Sequence, residues 1–212
     1  MIEFKNVNLH FNDHYILTNF NLLINEKDKV IIKGRSGIGK TTLFNLILGF
    51  VCPESGSIYF NKKRITSKSV WEIRRRIAYI AQDTVFGRGI VSDVINRILK
   101  YRANSKIDYN SDRLMSLCKK FKIEDSLLNE DIENISGGER QRIAIIMALL
   151  LERKVFFMDE ATSALDDDLK NIVSDYFCNN SDFTLVVISH DDVWYRQSDI
   201  KIYNFEEHQW AR

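Results

Sequence analysis

The stretch Val30-Ile31-Ile32-Lys33-Gly34-Arg35-Ser36-Gly37-Ile38-Gly39-Lys40-Thr41-Thr42-Leu43-Phe44-Asn45-Leu46-Ile47-Leu48-Gly49 decides how this chain folds. Its first three residues form an apolar run that reads as a buried strand, and the segment from Thr41 to Gly49 reads as a helix. Between them lies the spacing GxxxxGK[ST], formed by Gly34, Arg35, Ser36, Gly37, Ile38, Gly39, Lys40 and Thr41, with Thr42 following. Glycines at these places leave backbone N–H groups free to converge on phosphate oxygens. Lys40 adds a point charge at the β/γ-phosphates, the Thr41 hydroxyl is a ligand for Mg²⁺, and the helix N-terminus faces the anion. Strand, glycine-rich loop and helix in that order predict a P-loop, and with it a nucleoside triphosphate site.

Working outward, three further apolar runs end in polar residues. Val155-Phe156-Phe157-Met158 runs into Asp159-Glu160, an arrangement in which the Asp positions Mg²⁺ through its water shell and the next carboxylate meets an attacking water. Leu185-Val186-Val187-Ile188-Ser189 is followed by His190, and Ile77-Ala78-Tyr79-Ile80 by Gln82. Polar groups at the carboxyl ends of neighbouring strands converge on one pocket. A separate segment, Ile135-Ser136-Gly137-Gly138-Glu139, opens a second helix whose N-terminus is an exposed anion site. In that helix Ile143, Ile146, Met147 and Leu150 are expected on one face, with Ala144 and Ala148 permitting close approach.

Taken together, these motifs resemble those of the ATP-binding cassette (ABC) ATPases, nearly end to end and in the family's order. Residues 34–42 resemble the Walker A loop, Gln82 the Q-loop glutamine, and Ser136-Gly137-Gly138-Glu139 the signature, with Ile135 where the family commonly has Leu. Phe156 to Asp159 resembles Walker B, Glu160 the catalytic glutamate, Ser163-Ala164-Leu165-Asp166 the D-loop, and His190 the switch histidine. The resemblance implies an α/β fold: a P-loop NTPase (RecA-like) core with a mostly parallel sheet, an antiparallel β edge and a helical signature subdomain. It implies Glu160, His190 and Gln82 in catalysis, and Thr41, Asp159 and Gln82 around Mg²⁺. It also implies ATP held by residues 34–42 of one subunit and by Ser136, Gly137, Gly138, Glu139 and Asp166 of a second cassette joined head to tail. An aromatic ring stacked on adenine is expected upstream of the P-loop; Phe11 is favoured, at the end of the strand Val7-Asn8-Leu9-His10-Phe11, with Tyr15 in the following turn as the alternative.

Composition sets limits on this expectation. The 212 residues are enough for one cassette, with residues 1–82 and about 153–212 as a core lobe and about 84–148 as a helical lobe. A net charge of +1 provides no broad field for nucleic acid or acidic lipid, so no nucleic-acid partner is expected. Cys52, Cys118 and Cys178 are scattered and lack metal spacing, which fits free thiols in a reducing compartment. The start Met1-Ile2-Glu3-Phe4-Lys5 carries no signal-peptide pattern, and the longest apolar stretch, Ile143 to Leu151, is too short to cross a bilayer. A transport path is therefore expected from another chain, an integral membrane permease, with this subunit on the cytoplasmic face. The residue 82–89 segment is expected to border the groove for that partner. The Gln82 region and residues 129–134 also resemble compact cassettes proposed to export iron or other metals. The alternative is a soluble ABC ATPase such as an iron–sulfur assembly factor.

Overall fold

The computed structural model describes residues 1–11 and 14–211. Strands β1 (Ile2–Phe11), β2 (His14–Ile24), β4 (Ser55–Phe60) and β5 (Lys63–Arg64) form an antiparallel sheet in the order β2-β1-β4-β5. Strands β3 (Lys29–Lys33), β6 (Ile77–Ile80), β7 (Val155–Asp159), β8 (Thr184–Ile188), β9 (Ile200–Asn204) and β10 (Gln209–Trp210) form the second sheet, ordered β10-β9-β3-β8-β7-β6. All its pairings are parallel except the β9–β10 hairpin. The helices are α1 (Lys40–Ile47), α2 (Val70–Arg74), α3 (Val91–Leu99), α4 (Ser111–Lys120), α5 (Gly137–Leu150), α6 (Asp167–Cys178) and α7 (Asp192–Tyr195), with 3₁₀ turns at Arg102–Asn104 and Asp125–Asn129.

The central parallel strands have apolar middles because both faces of their sheet are covered. Side chains alternate across a strand, so each strand serves two cores. Val30, Ile32, Phe157, Val186 and Ile188 pack towards α1 and the antiparallel sheet, while Ile31, Phe156, Met158, Leu185 and Val187 pack towards α3, α4, α5 and α6. The first core fixes the geometry of the P-loop. Phe44 of α1 stacks on Phe157 of β7 with ring centroids 4.6 Å apart and planes 12° apart, a contact that adds about 0.5–1.5 kcal/mol beyond burial. It ties the helix leaving the loop to the strand that delivers Asp159. α1 stops where Gly49 turns left-handed, at φ 66°, and Phe50 N–H returns to Asn45 O at 2.8 Å.

Two expectations are corrected. Tyr15 lies in β2, paired with His10, instead of in a turn. α5 does not have a single apolar face: every residue from Ile143 to Leu150 is buried, because the sheet and the other helices surround it. Among the described residues, no helix is long and apolar enough to cross a membrane.

Candidate nucleotide site

Loop 34–39 leaves β3 and enters α1 through Gly39, which caps the helix at φ 108° with no side-chain hydrogen bond. Any other residue would strain the site: a Cβ on Gly39 would lie 2.5 Å from Cγ2 of Ile16. Ile16, in β2, therefore covers the loop, a neighbour the sequence did not reveal. Lys40 is buried, and its ammonium donates to Gly34 O at 2.6 Å and Arg35 O at 2.8 Å. Burial lowers its pKa, while the negative fields of Glu160, Asp159 and Glu206 oppose that shift.

The neighbouring strand ends complete the site. Asp159, the last residue of β7, is buried; it accepts a hydrogen bond from Tyr79 Oη at 3.3 Å, and the Thr41 side chain stands close enough to favour its charged form. Burial raises its pKa against those donors and Lys40. Glu160 follows in the left-handed region at φ 51°, its N–H donating to Ile188 O at 2.8 Å. A non-glycine residue held there carries backbone strain, which concentrates at functional positions. Burial also raises the Glu160 pKa, opposed chiefly by the charge of His190. His190 Nε2 lies 3.6 Å from Glu160 Oε1 and 3.4 Å from Ser36 Oγ. Ser36, His190 and Glu160 thus form a chain of contacts, with Lys40 within the field of Asp159 and Glu160 beside it. A further carboxylate, Glu206 after β9, accepts from Arg35 N–H at 2.8 Å and from the Arg35 guanidinium at 3.2 Å.

The other expected residues lie elsewhere. Gln82 is exposed in a bend beyond β6, on the strand-end side of the sheet, and no hydrogen bond among the described residues joins it to Thr41 or Asp159. Phe11, last in β1, is 45% exposed, and Tyr15 is 79% exposed. Ser136 is the N-cap of α5 in a capping box: its N–H and Oγ donate to Glu139 Oε2 at 2.8 and 2.6 Å, and Glu139 N–H donates back to Ser136 Oγ. These bonds lower the Glu139 pKa, the Ser136 hydroxyl contributing most. Gly137 has open space where a Cβ would stand, whereas one on Gly138 would meet Ala164 O at 3.0 Å. Asp166 caps α6 by accepting from Leu169 N–H at 2.8 Å.

The ABC transporter family profile matches residues 17–163. This chain belongs to that family. A protein of Rickettsia prowazekii, carried as a candidate export ATP-binding/permease protein, is 37% identical over 175 residues; the match covers 78% of the cassette described here and 30% of the relative. A candidate iron export ATP-binding protein of Escherichia coli K12, FetA, is 28% identical over 195 residues, 90% of this cassette and 85% of the relative. The dimeric bacterial ABC transporter cassette MJ0796 superposes with a TM-score of 0.78 at 25% identity, covering 100% of this chain and 97% of that one. The same cassette is also known in a post-hydrolysis state bound to ADP and Pi. The fold is the α/β P-loop NTPase fold expected, and the cassette is an ATP-binding ATPase of this family.

Two observations test the site against its ligands. The α1 N-terminus carries no side-chain cap, and Gly37 and Gly39 hold the loop at φ 79° and 108°, leaving backbone donors for phosphate. Thr41 and Asp159 present adjacent hard oxygen donors, the chemistry Mg²⁺ prefers. Among the described residues, no three His, Cys, Asp or Glu side chains are grouped to hold a metal by themselves. A cation at Thr41 and Asp159 would complete its shell with phosphate and water oxygens.

Proposed function

We propose that this cassette supplies the power stroke of a membrane transporter, with MgATP at the P-loop bridging two cassettes head to tail. The contacts from Ser36 through His190 to Glu160, beside the buried Lys40, carry this reading. Lys40 exchanges its contacts with the Gly34 and Arg35 carbonyls for phosphate oxygens, and the free N–H groups of the loop orient the chain of phosphates. Thr41 and Asp159 would hold Mg²⁺, which supplies charge neutralisation on the β- and γ-oxygens when bound. Glu160 accepts the proton of the attacking water; its raised proton affinity suits a general base. His190, hydrogen-bonded to Ser36, orients the γ-phosphate and keeps Glu160 aligned. Gln82 joins this site when the lobes close, and Phe11 lends its exposed ring to the adenine.

The second anion site, at the start of α5, has an intact cap and two glycines, and it serves ATP bound to the partner cassette. Release of the γ-phosphate then removes differential contacts and the pair reopens. An apolar groove of about 300 Å³, lined by Phe50, Phe86, Met147 and Leu151 among others and rimmed by the segment after Gln82, suits a helix of an integral membrane permease. That partner would hold the cassette at the cytoplasmic face of the membrane. It would also choose the cargo, because the relatives with this cassette bear different transport names. Lys40→Ala tests the nucleotide site: titration with a fluorescent ATP analogue should find tight MgATP binding lost, and an unchanged affinity would sink the assignment.

A further inference from the structure

One carboxylate outside the reacting group ties together the two turns that carry Glu160 and His190. Asp191, next after His190, accepts from Thr162 Oγ at 2.6 Å and from Lys170 Nζ at 2.6 Å, with Ser189 Oγ at 3.4 Å. Thr162, two residues beyond Glu160, is completely buried and accepts from the buried indole N–H of Trp194 at 3.2 Å. Lys170 comes from the second turn of α6, and the Lys170 and Asp191 side chains are each only 17% exposed. Three elements therefore meet at a single ion pair: the turn after β7, the helix α6, and the turn from β8 into α7. None of these groups touches the P-loop through a hydrogen bond among the described residues.

Glu160 and His190 lie at adjacent strand ends, and the backbone bond from Glu160 N–H to Ile188 O fixes only the base of their turns. Beyond that bond, the Thr162–Asp191–Lys170 node fixes their relative position. We propose that Lys170 is a positioning residue for ATP hydrolysis: its ion pair with Asp191 sets the 3.6 Å approach of His190 to Glu160. This inference rests on the assignment of Glu160 as the base. A shielded pair holds its geometry better than an exposed one, because solvent competes less for the charges. Losing the ammonium leaves Asp191 with hydroxyl donors alone, and the His190 turn is then free to shift relative to Glu160. Misplacement by about 1 Å costs on the order of 100-fold in rate.

Lys170→Met should lower kcat by about 10–100-fold while ATP affinity, measured without turnover, changes less than about 2-fold, since no P-loop contact is lost. Lys170→Arg should restore most of the rate. Lys170→Met combined with Asp191→Asn should be no slower than the worse single variant, because the two act as a unit. The imidazole ¹⁵N signals of His190 should move in Lys170→Met and stay in place in Lys154→Met, a control at an exposed ion pair with Asp182. A purely stabilising role would lower the melting temperature without moving kcat or the His190 signals at a temperature where the variant is folded. Parent kcat in Lys170→Met overturns the proposal. If that variant does not fold, parent kcat in the near-isosteric Thr162→Val overturns it instead. Glu160→Gln is assayed beside them: if it retains the parent rate, the base assignment fails, whatever Lys170→Met does.

Discussion

Gly39→Ala is the sharpest structural perturbation of the P-loop. Two costs follow from the geometry. At φ 108° an alanine Cβ crowds the following carbonyl, at about 1–2 kcal/mol. The same Cβ would stand 2.5 Å from Ile16 Cγ2, against an ordinary carbon–carbon contact of about 3.5–4.0 Å. Ile16 relieves this overlap by turning away from its rotamer, which costs about 0.5–1.5 kcal/mol. The sum is roughly 1.5–3.5 kcal/mol, or a fall in Tm of about 3–14 °C for a chain of this size. Equilibrium urea unfolding of four proteins separates the terms: parent, Gly39→Ala, Ile16→Ala and the double variant. The coupling between the two sites should equal the overlap term, about 0.5–1.5 kcal/mol, while the backbone term survives Ile16→Ala. A Gly39→Ala protein within about 0.5 kcal/mol of the parent, the range of ordinary surface changes, would refute this reasoning. So would a penalty indifferent to Ile16.

Two further substitutions test the site. Asp159 and Glu160 hold their protons more tightly in the fold than in the unfolded chain, because burial disfavours the carboxylate; their contribution to stability is therefore present below the unfolded pKa of about 4 and lost as pH rises through the folded values. Glu160→Gln should accordingly raise the ligand-free Tm at pH 7 and lose that advantage near pH 4; a Tm below the parent at pH 7 contradicts the burial argument. Gly138→Asp should fold with some strain against Ala164 O and still bind ATP at its own P-loop, yet neither dimerise nor hydrolyse. Mixing it with Lys40→Ala should partly restore ATPase activity, because one composite site of the heterodimer is intact; full activity of Gly138→Asp alone would reduce the signature to a helix cap.

Much of this site was readable in one dimension. The strand before the P-loop, the helix after it and the strands ending at Asp159 and His190 are short continuous apolar runs, which a sheet covered on both faces requires. The cap at Ser136 is readable too, since its bonds close within three residues. The unread features join distant segments. Tyr79 reaches Asp159 across 80 residues, Glu206 reaches Arg35 across 171, and Asp191 reaches Thr162 across 29. Local periodicity carries no record of such pairings. It also misjudged α5, where a buried helix and an amphipathic one begin with the same spacing of large residues. Tyr15 lies in β2 and not in a turn, although its strand alternates polar and apolar residues irregularly and the β1–β2 pairing that contains it has register shifts.

The central claim is that ATP joins two cassettes across shared sites, and light scattering on Glu160→Gln during size exclusion tests it most directly. With hydrolysis removed and binding retained, the protein should elute at twice the 24.8 kDa chain mass in MgATP and at the single mass in MgADP or without nucleotide. A protein that binds MgATP to saturation and still elutes at the single mass would contradict the account.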